Sequence, residues 1–344
     1  MIRLKHALIE SHDNSFEGRL KALKHSLQTA IELEHSTIPP YLYALYSIKT
    51  DQNLEVAHLI KSIVKQEMLH MALDCNVLNA IGGHPKIDHP RFIPHYPGHL
   101  PGAVEGSLIV PLAAMSKQLV HDVFMVIEEP AKTVDGVDPP PDGMTIGQFY
   151  QHIQKEITAL CKVGDIFTGK PEKQLVTGFP ELQNKGVTDE ASALAAIDMI
   201  VEQGEGSDTS PIDPEHELAH YYKYAEIYYG RKLIPNPDPR PGKPAWVFEG
   251  HRIEFDAGGI YPVISNPQRL NYAHQPRIAD LNLTFNSTYS DMLRKLHAVF
   301  NGQPDRLALA LLSMQALREQ AQLLMTQEVV PGQTAGPTFD YIPA

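Results

Sequence analysis

The chain has 344 residues, 43% of them hydrophobic, and a formal charge of -12, which is enough apolar side chain for a large core. That charge repels nucleic acid and anionic membrane surfaces, so small or neutral partners fit better. No run of about 18 apolar residues is present, and MIRLKHALIE at the N-terminus lacks the apolar stretch of a signal peptide, so a cytoplasmic protein without membrane contact is expected. Cys75 and Cys161 both sit in helical patterns, where reduced, packed thiols are expected rather than a disulfide.

In chain order, residues 17–49 carry apolar side chains at helical steps through Leu20, Leu23, Leu27, Ile31, Ile38, Leu42 and Leu45, with Glu34 inside that stripe. Residues 54–81 repeat the design with Ile60, Ile63, Glu67, His70, Asp74, Val77 and Ile81, and Gly82-Gly83 stops the helix. The short link TDQN makes the two an antiparallel hairpin. The Pro-rich connector GGHPKIDHPRFIPHYPGHLP follows, and its histidines His84, His89, His95 and His99 read as loop residues. Further helices are expected near 108–129, 145–163, 190–205 and 214–230. Residues 231–280 are Pro/Gly-rich with short β-like pieces such as HRIEF and YPVI. Two amphipathic helices, near 281–300 and 304–327, precede a loop tail; the second carries Leu307, Leu311, Met314, Leu317, Ala321 and Leu324 on one stripe. The expected division is a helical bundle over 1–230 and an irregular segment plus two helices over 231–344. The second part either covers the bundle or forms a homodimer contact.

Glu67-Met-Leu-His70 puts a carboxylate and an imidazole one turn apart on the buried face of a helix. Glu34 lies on the buried face of the partner helix. A buried carboxylate without a counter-charge costs several kcal/mol or more, and no Lys or Arg shares these stripes, so a metal cation is the economical answer. In four-helix di-iron and di-manganese proteins two helices each give a Glu and two each give Glu-x-x-His. The second such pair is Glu217-Leu-Ala-His220. The remaining single Glu has three candidates, Glu128, Glu205 and Glu156, among which spacing does not choose. Four carboxylates would balance two divalent ions.

Three features near this set bear on it. Pro39 and Pro40 fall one turn after Glu34, where they remove hydrogen bonds to the carbonyls of His35 and Ser36. The helix is therefore expected to kink or restart, with Ser36 or Thr37 as a cap. Such a break would open the bundle for substrate or dioxygen, or else steer Tyr41 and Leu42 onto the core. Asp74, one turn beyond His70, is placed either to orient the imidazole through its second nitrogen or to face the polar connector. Tyr41, Tyr43, Tyr46, Tyr221, Tyr222 and Tyr224 read as core aromatics with bonded hydroxyls.

The segments IELEHSTIPPYLYALYSI, QEMLHMALDCNVLNAIGGHP, FMVIEEP, IGQFYQHI, IVEQGEG, ELAHYYKY, FNSTYSDML and AGPTFDY resemble the ferritin-like proteins related to the iminophenyl-pyruvate dimer synthase domain of violacein and rebeccamycin-type pathways. The resemblance runs from near residue 30 to the C-terminus. It implies a mainly α protein, a ferritin-like four-helix bundle with extra helices and an irregular Pro/Gly-rich C-terminal extension. It also implies Glu34, Glu67, His70 and His220 as metal ligands, and favours Glu128 and Glu205 over Glu202 and Glu156.

The function expected from both lines is a metal-dependent oxidase or oxygenase of secondary metabolism, acting on an amino-acid-derived small molecule with dioxygen as oxidant. Its ligands would be Glu34, Glu67, His70, Glu128, Glu217 and His220, with Glu205 a further ligand or a proton shuttle. Iron, as one or two ions, is the first expectation, and manganese accepts the same donors. The alternatives are a metal-storage protein, which the long connectors disfavour, and a metal-free scaffold in a biosynthetic complex.

Overall fold

Residues 16–80 form the expected hairpin, α1 (Phe16–Ser47) against α2 (Leu54–Ala80). The computed structural model to which they belong describes residues 3–104, 108–130, 144–206, 210–213, 216–238, 240 and 243–344, without the side chain of Glu205. Ser15 caps α1 by accepting from Gly18 N at 3.1 Å. After α2 the chain turns at Gly82, whose φ of +73° suits a residue without a side chain.

The helix expected over 108–129 is shorter. It consists of α3 (Lys117–Leu119), a π-helical turn (Val120–Phe124) and α4 (Met125–Ile127), which end to end cover 117–127. Next come α5 (Ile146–Cys161) and α6 (Glu190–Glu205), each opened by a capping box, Thr145 with Gln148 and Asp189 with Ser192. α7 is His220–Tyr229 and stops at Gly230, which adopts the left-handed conformation. The expected helix over 214–230 therefore begins six residues late, and residues 214–215 lie outside the described part.

α1 and α2 pack with α5, α6 and α7, and α4 closes onto α7. α8 (Pro276–Val299) and α9 (Leu307–Met325) form a second hairpin that rests on the outer side of α1. Of the stripe expected on α9, Leu317, Ala321 and Leu324 are buried, but Leu311 faces outward. The Pro/Gly-rich stretch is irregular, as expected. Its only regular strands among the described residues are β1 (Ile234–Pro235) and β2 (Trp246–Val247), paired antiparallel, while HRIEF and YPVI contribute isolated bridges at Arg252 and Val263. A second small ribbon pairs β3 (Glu328–Val330) with β4 (Gln333–Thr334). The tail is loop yet anchored, because Tyr272 donates to Gly336 O at 2.6 Å and Asn286 donates to Thr338 Oγ1 at 2.8 Å.

The double proline does not break α1, which runs unbroken from 16 to 47. Ser36 and Thr37 cap no restarted segment; their hydroxyls turn back to the carbonyls of Leu33 and Glu34. The Ser36 carbonyl that Pro40 leaves without a helical donor receives the Tyr96 hydroxyl at 2.6 Å. A donor from the Pro-rich connector thus replaces the lost backbone bond, which lets the helix continue past two residues that would otherwise interrupt it.

Candidate metal centre

Five side chains from four helical segments converge inside the bundle. Glu34 comes from the middle of α1, Glu67 and His70 from one face of α2, Glu128 from the residue capping α4, and His220 from the first residue of α7. All five are buried. The π-helical turn immediately precedes the segment that ends at Glu128, a placement common for such turns beside functional sites.

The five form two triads, Glu34 with Glu67 and His70, and Glu67 with Glu128 and His220, each with its ligand atoms within 4.8 Å of one another. Glu67 belongs to both. His70 Nδ1 stands 3.3 Å from Glu34 Oε2, and His220 Nδ1 stands 2.9 Å from Glu67 Oε1 and 3.5 Å from Glu128 Oε2. Despite these distances neither ring nitrogen of His220 makes a hydrogen bond, although the residue is fully buried. Donor atoms that approach without aligning on one another are placed as ligands of a common ion are. Among the described residues no Lys or Arg pairs with Glu34, Glu67 or Glu128, so the positive charge their burial calls for has no Lys or Arg source among them. The triads line a cavity of about 40 Å³, room for ions or a water or two but not for an organic molecule.

The surrounding groups hold this arrangement. His70 Nε2 lies 3.0 Å from Gln203 Oε1. The acceptor fixes the ring proton on Nε2 and leaves the Nδ1 lone pair facing Glu34, the orientation a metal-bound histidine needs. Thr37 Oγ1 stands 2.7 Å from Glu67 Oε2, and the Tyr41 hydroxyl donates to Glu128 Oε1 at 2.5 Å. Burial first, then the negative charges of Glu128 and Glu34, raise the Glu67 carboxyl well above the usual range, against smaller opposing effects of His70 and Thr37. Burial likewise raises the Tyr41 and Tyr224 hydroxyls, with the Glu128 charge adding to it.

Tyr150, on α5, bridges two carboxylates, with its oxygen 2.6 Å from Glu34 Oε1 and 2.8 Å from Asp74 Oδ2. A phenol has one proton, so it can donate to only one of them, and the other contact needs a proton on the carboxylate itself. Asp74 is fully buried, and burial together with the Glu34 charge raises its carboxyl well above the usual range, the direction that favours a proton there.

Two expectations therefore need correction, and one open candidate drops out. Asp74 does not orient His70, a role that falls to Gln203, because the Asp74 side chain turns to Tyr150 instead. Glu217 does not join His220. With α7 starting at His220, three residues of spacing no longer mean one helical face, and the Glu217 side chain is 57% exposed and paired with Lys223 at 2.9 Å. Glu156, the third candidate for the single Glu, is tied to Arg19 at 2.9 Å. Glu205 is the last residue of α6, and its side chain lies outside the described part of the structure.

With the geometry in place, the chain can be set beside known proteins. A model of the ferritin-like family matches residues 27–229, more than half of the sequence. The chain belongs to the ferritin-like family. This ferritin-like chain is 26% identical to dichlorochromopyrrolate synthase from Lentzea aerocolonigenes over 93% of its own length, and it spans 35% of the length of that enzyme. A crystal structure of a ferritin-like protein from Caulobacter vibrioides matches it with a TM-score of 0.58 at 22% identity, covering 93% of this chain and 97% of that one. The second likeness shows the shared fold. The ferritin-like bundle, a distant relationship to a biosynthetic enzyme and two buried Glu/His triads able to hold metal ions thus coincide in one chain.

Gln203, Tyr150 and Thr37 are the members of the ferritin-like site that sequence reasoning missed. The signal for Gln203 was present: it follows Ala196 and Ile200 on the buried stripe of α6, as Glu34 follows Leu27 and Ile31 on α1. It passed unnoticed because a neutral amide on an apolar stripe is a weaker alarm than a charge.

Proposed function

We propose that the chain is a metal-dependent oxidoreductase that uses dioxygen to transform an amino-acid-derived small molecule, with Glu34, Glu67, His70, Glu128 and His220 as metal ligands and Glu67 shared between two ions. The observation that carries this reading is the pair of buried triads with an unsatisfied, fully buried His220 between two carboxylates. Mixed imidazole and carboxylate donors suit iron first and manganese next. Bound there, such a metal would supply the redox change that reaction with dioxygen requires.

The protein groups have separate tasks. Gln203 would keep the His70 lone pair free for a bound ion, Thr37 and Tyr41 hold Glu67 and Glu128, and Asp74 behind Tyr150 would hold a proton one hydroxyl away from Glu34. The cavity is too small for the substrate, which we place at its α5–α6 wall, where Ile146, Gly147, Ile200, Val201 and Gly204 line it. Among the described residues, a side chain added at Gly204 would meet nothing within 4 Å. The relationship to dichlorochromopyrrolate synthase supports a small organic substrate of the same broad kind. The chain spans 35% of that enzyme's length, so the relationship supports the broad substrate class and not that enzyme's particular reaction.

The test is oxygen uptake by ferrous-loaded protein with and without aryl amino acids and their 2-oxo or 2-imino acids. Substrate-dependent uptake with an organic product supports the reading. Uptake that builds ferric mineral and consumes no organic compound would instead identify a storage protein, and absence of stoichiometric metal a scaffold.

A further inference from the structure

A second candidate site lies on the opposite side of the α1–α2 hairpin from the triads. There α9 faces the hairpin across a groove of about 680 Å³, within the range of small-molecule sites. At its inner end the groove shares Leu42, Tyr46, Val64, Met68 and Met314 with a narrower apolar cavity of about 90 Å³. Methionines Met68, Met71, Met292 and Met314 line that cavity, and flexible thioethers adapt to a chain-like guest.

The charge is arranged along the same axis. One stripe of α2 reads Lys61, Lys65, Met68, Met71, so its cations lie at the groove and its thioethers at the inner cavity. Lys61 and Lys65 are like charges four residues apart, which disfavours a helix unless an anion offsets them. Arg318 of α9 is on the same groove. Lys49, Lys61, Lys65 and Arg318 outnumber Asp51, Glu181 and Glu217 there, and Glu217 is already neutralised by Lys223. This is a local excess of positive charge on a chain of net charge -12. His35 closes the inner cavity, its ring 4.4 Å from that of Phe92 and its Nε2 2.7 Å from the Tyr289 hydroxyl.

We propose that this groove binds a single medium-chain alkyl carboxylate, its head between Lys61, Lys65 and Arg318 and its tail in the methionine-lined cavity. From Lys61 to Met71 is ten residues of helix, about 15 Å at ~1.5 Å per residue, which suits an extended chain of about ten to twelve carbons. The hairpin itself separates this ligand from the triads, so it is neither the substrate nor a metal ligand.

The experiment is calorimetric titration of the full, metal-loaded chain with dodecanoate below its micellar concentration. Saturable one-to-one binding is expected. Dodecanol, and dodecanoate with a Lys61→Gln, Lys65→Gln, Arg318→Gln variant, should each bind at least tenfold more weakly. Met68→Trp, which fills the junction, should abolish binding with the circular dichroism unchanged. Non-saturable uptake, equal binding of dodecanol, or wild-type affinity in the triple variant would overturn the proposal. So would adsorption to phosphatidylglycerol vesicles without binding of monomeric dodecanoate.

Discussion

Glu67 is the residue on which the metal centre can be tested most sharply, because it alone belongs to both triads. Replacement by Gln keeps its shape and removes its charge. If each triad holds one ion, Glu34→Gln should reduce metal stoichiometry from two to one, Glu128→Gln should do the same at the other triad, and Glu67→Gln should impair both. At free metal one hundred times the dissociation constant, each ion stabilises the folded chain by about 2.7 kcal/mol. The single-site variants should therefore lose about 3 kcal/mol of metal-induced stabilisation and Glu67→Gln about 5 kcal/mol.

In the chelated protein the sign reverses. Burial and the charges of Glu128 and Glu34 raise the Glu67 carboxyl, so the folded state holds a proton that the unfolded chain releases. The stability from that proton is complete below the ordinary carboxylate pKa and is lost as pH rises through the elevated one. Gln needs no proton, so metal-free Glu67→Gln should be at least as stable as wild type at pH 8. Urea unfolding with and without metal, read beside elemental analysis, decides it. A Glu67→Gln variant that keeps a full ion, or is destabilised in chelator as much as in metal, would refute the shared-ligand geometry.

Three further outcomes are expected. Gln203→Leu, which removes the acceptor that fixes the His70 tautomer, should weaken one ion of the pair by roughly 10- to 100-fold and leave the other intact, measured by competitive chelation. Tyr96→Phe leaves the Ser36 carbonyl beside Pro40 without a donor and should cost about 1–3 kcal/mol in urea unfolding. His35, with a pKa lowered to about 3 by burial, stays neutral in the folded chain while the unfolded chain takes up a proton. Its contribution is present above the ordinary value of 6.5 and is lost as pH falls below it. The metal-free protein should thus lose about 2 kcal/mol from this residue between pH 7 and pH 5. A His35→Gln variant whose stability falls as steeply with acid would remove His35 as the cause.

The α1–α2 half of the site was legible because its residues lie on helices long enough for the period to be read: Glu34, Glu67 and His70 each interrupt an apolar stripe. The α7 half was not, because Glu-x-x-His means one face only where a helix exists. Pro211, Asp213 and Pro214 resemble a helix start, but Ile212 and Leu218 form a bridge, and Glu217 N donates to Asp213 Oδ1 at 2.8 Å. That local structure holds the chain out of the helix until His220. The double proline misled for a related reason, since the donor that replaces its lost hydrogen bond, Tyr96, lies 60 residues from Ser36 in sequence. These departures alter the chemistry as well as the geometry. Without Glu217 the described ligands carry three negative charges, Glu34, Glu67 and Glu128, against four positive charges on two divalent ions. Counting only these described candidates, and so without Glu205, two ions would leave a surplus of +1 where the sequence suggested neutrality. A buried surplus of that sign favours an anion at the open side of the ions, which is where an amino-acid-derived acid would arrive under the function proposed above.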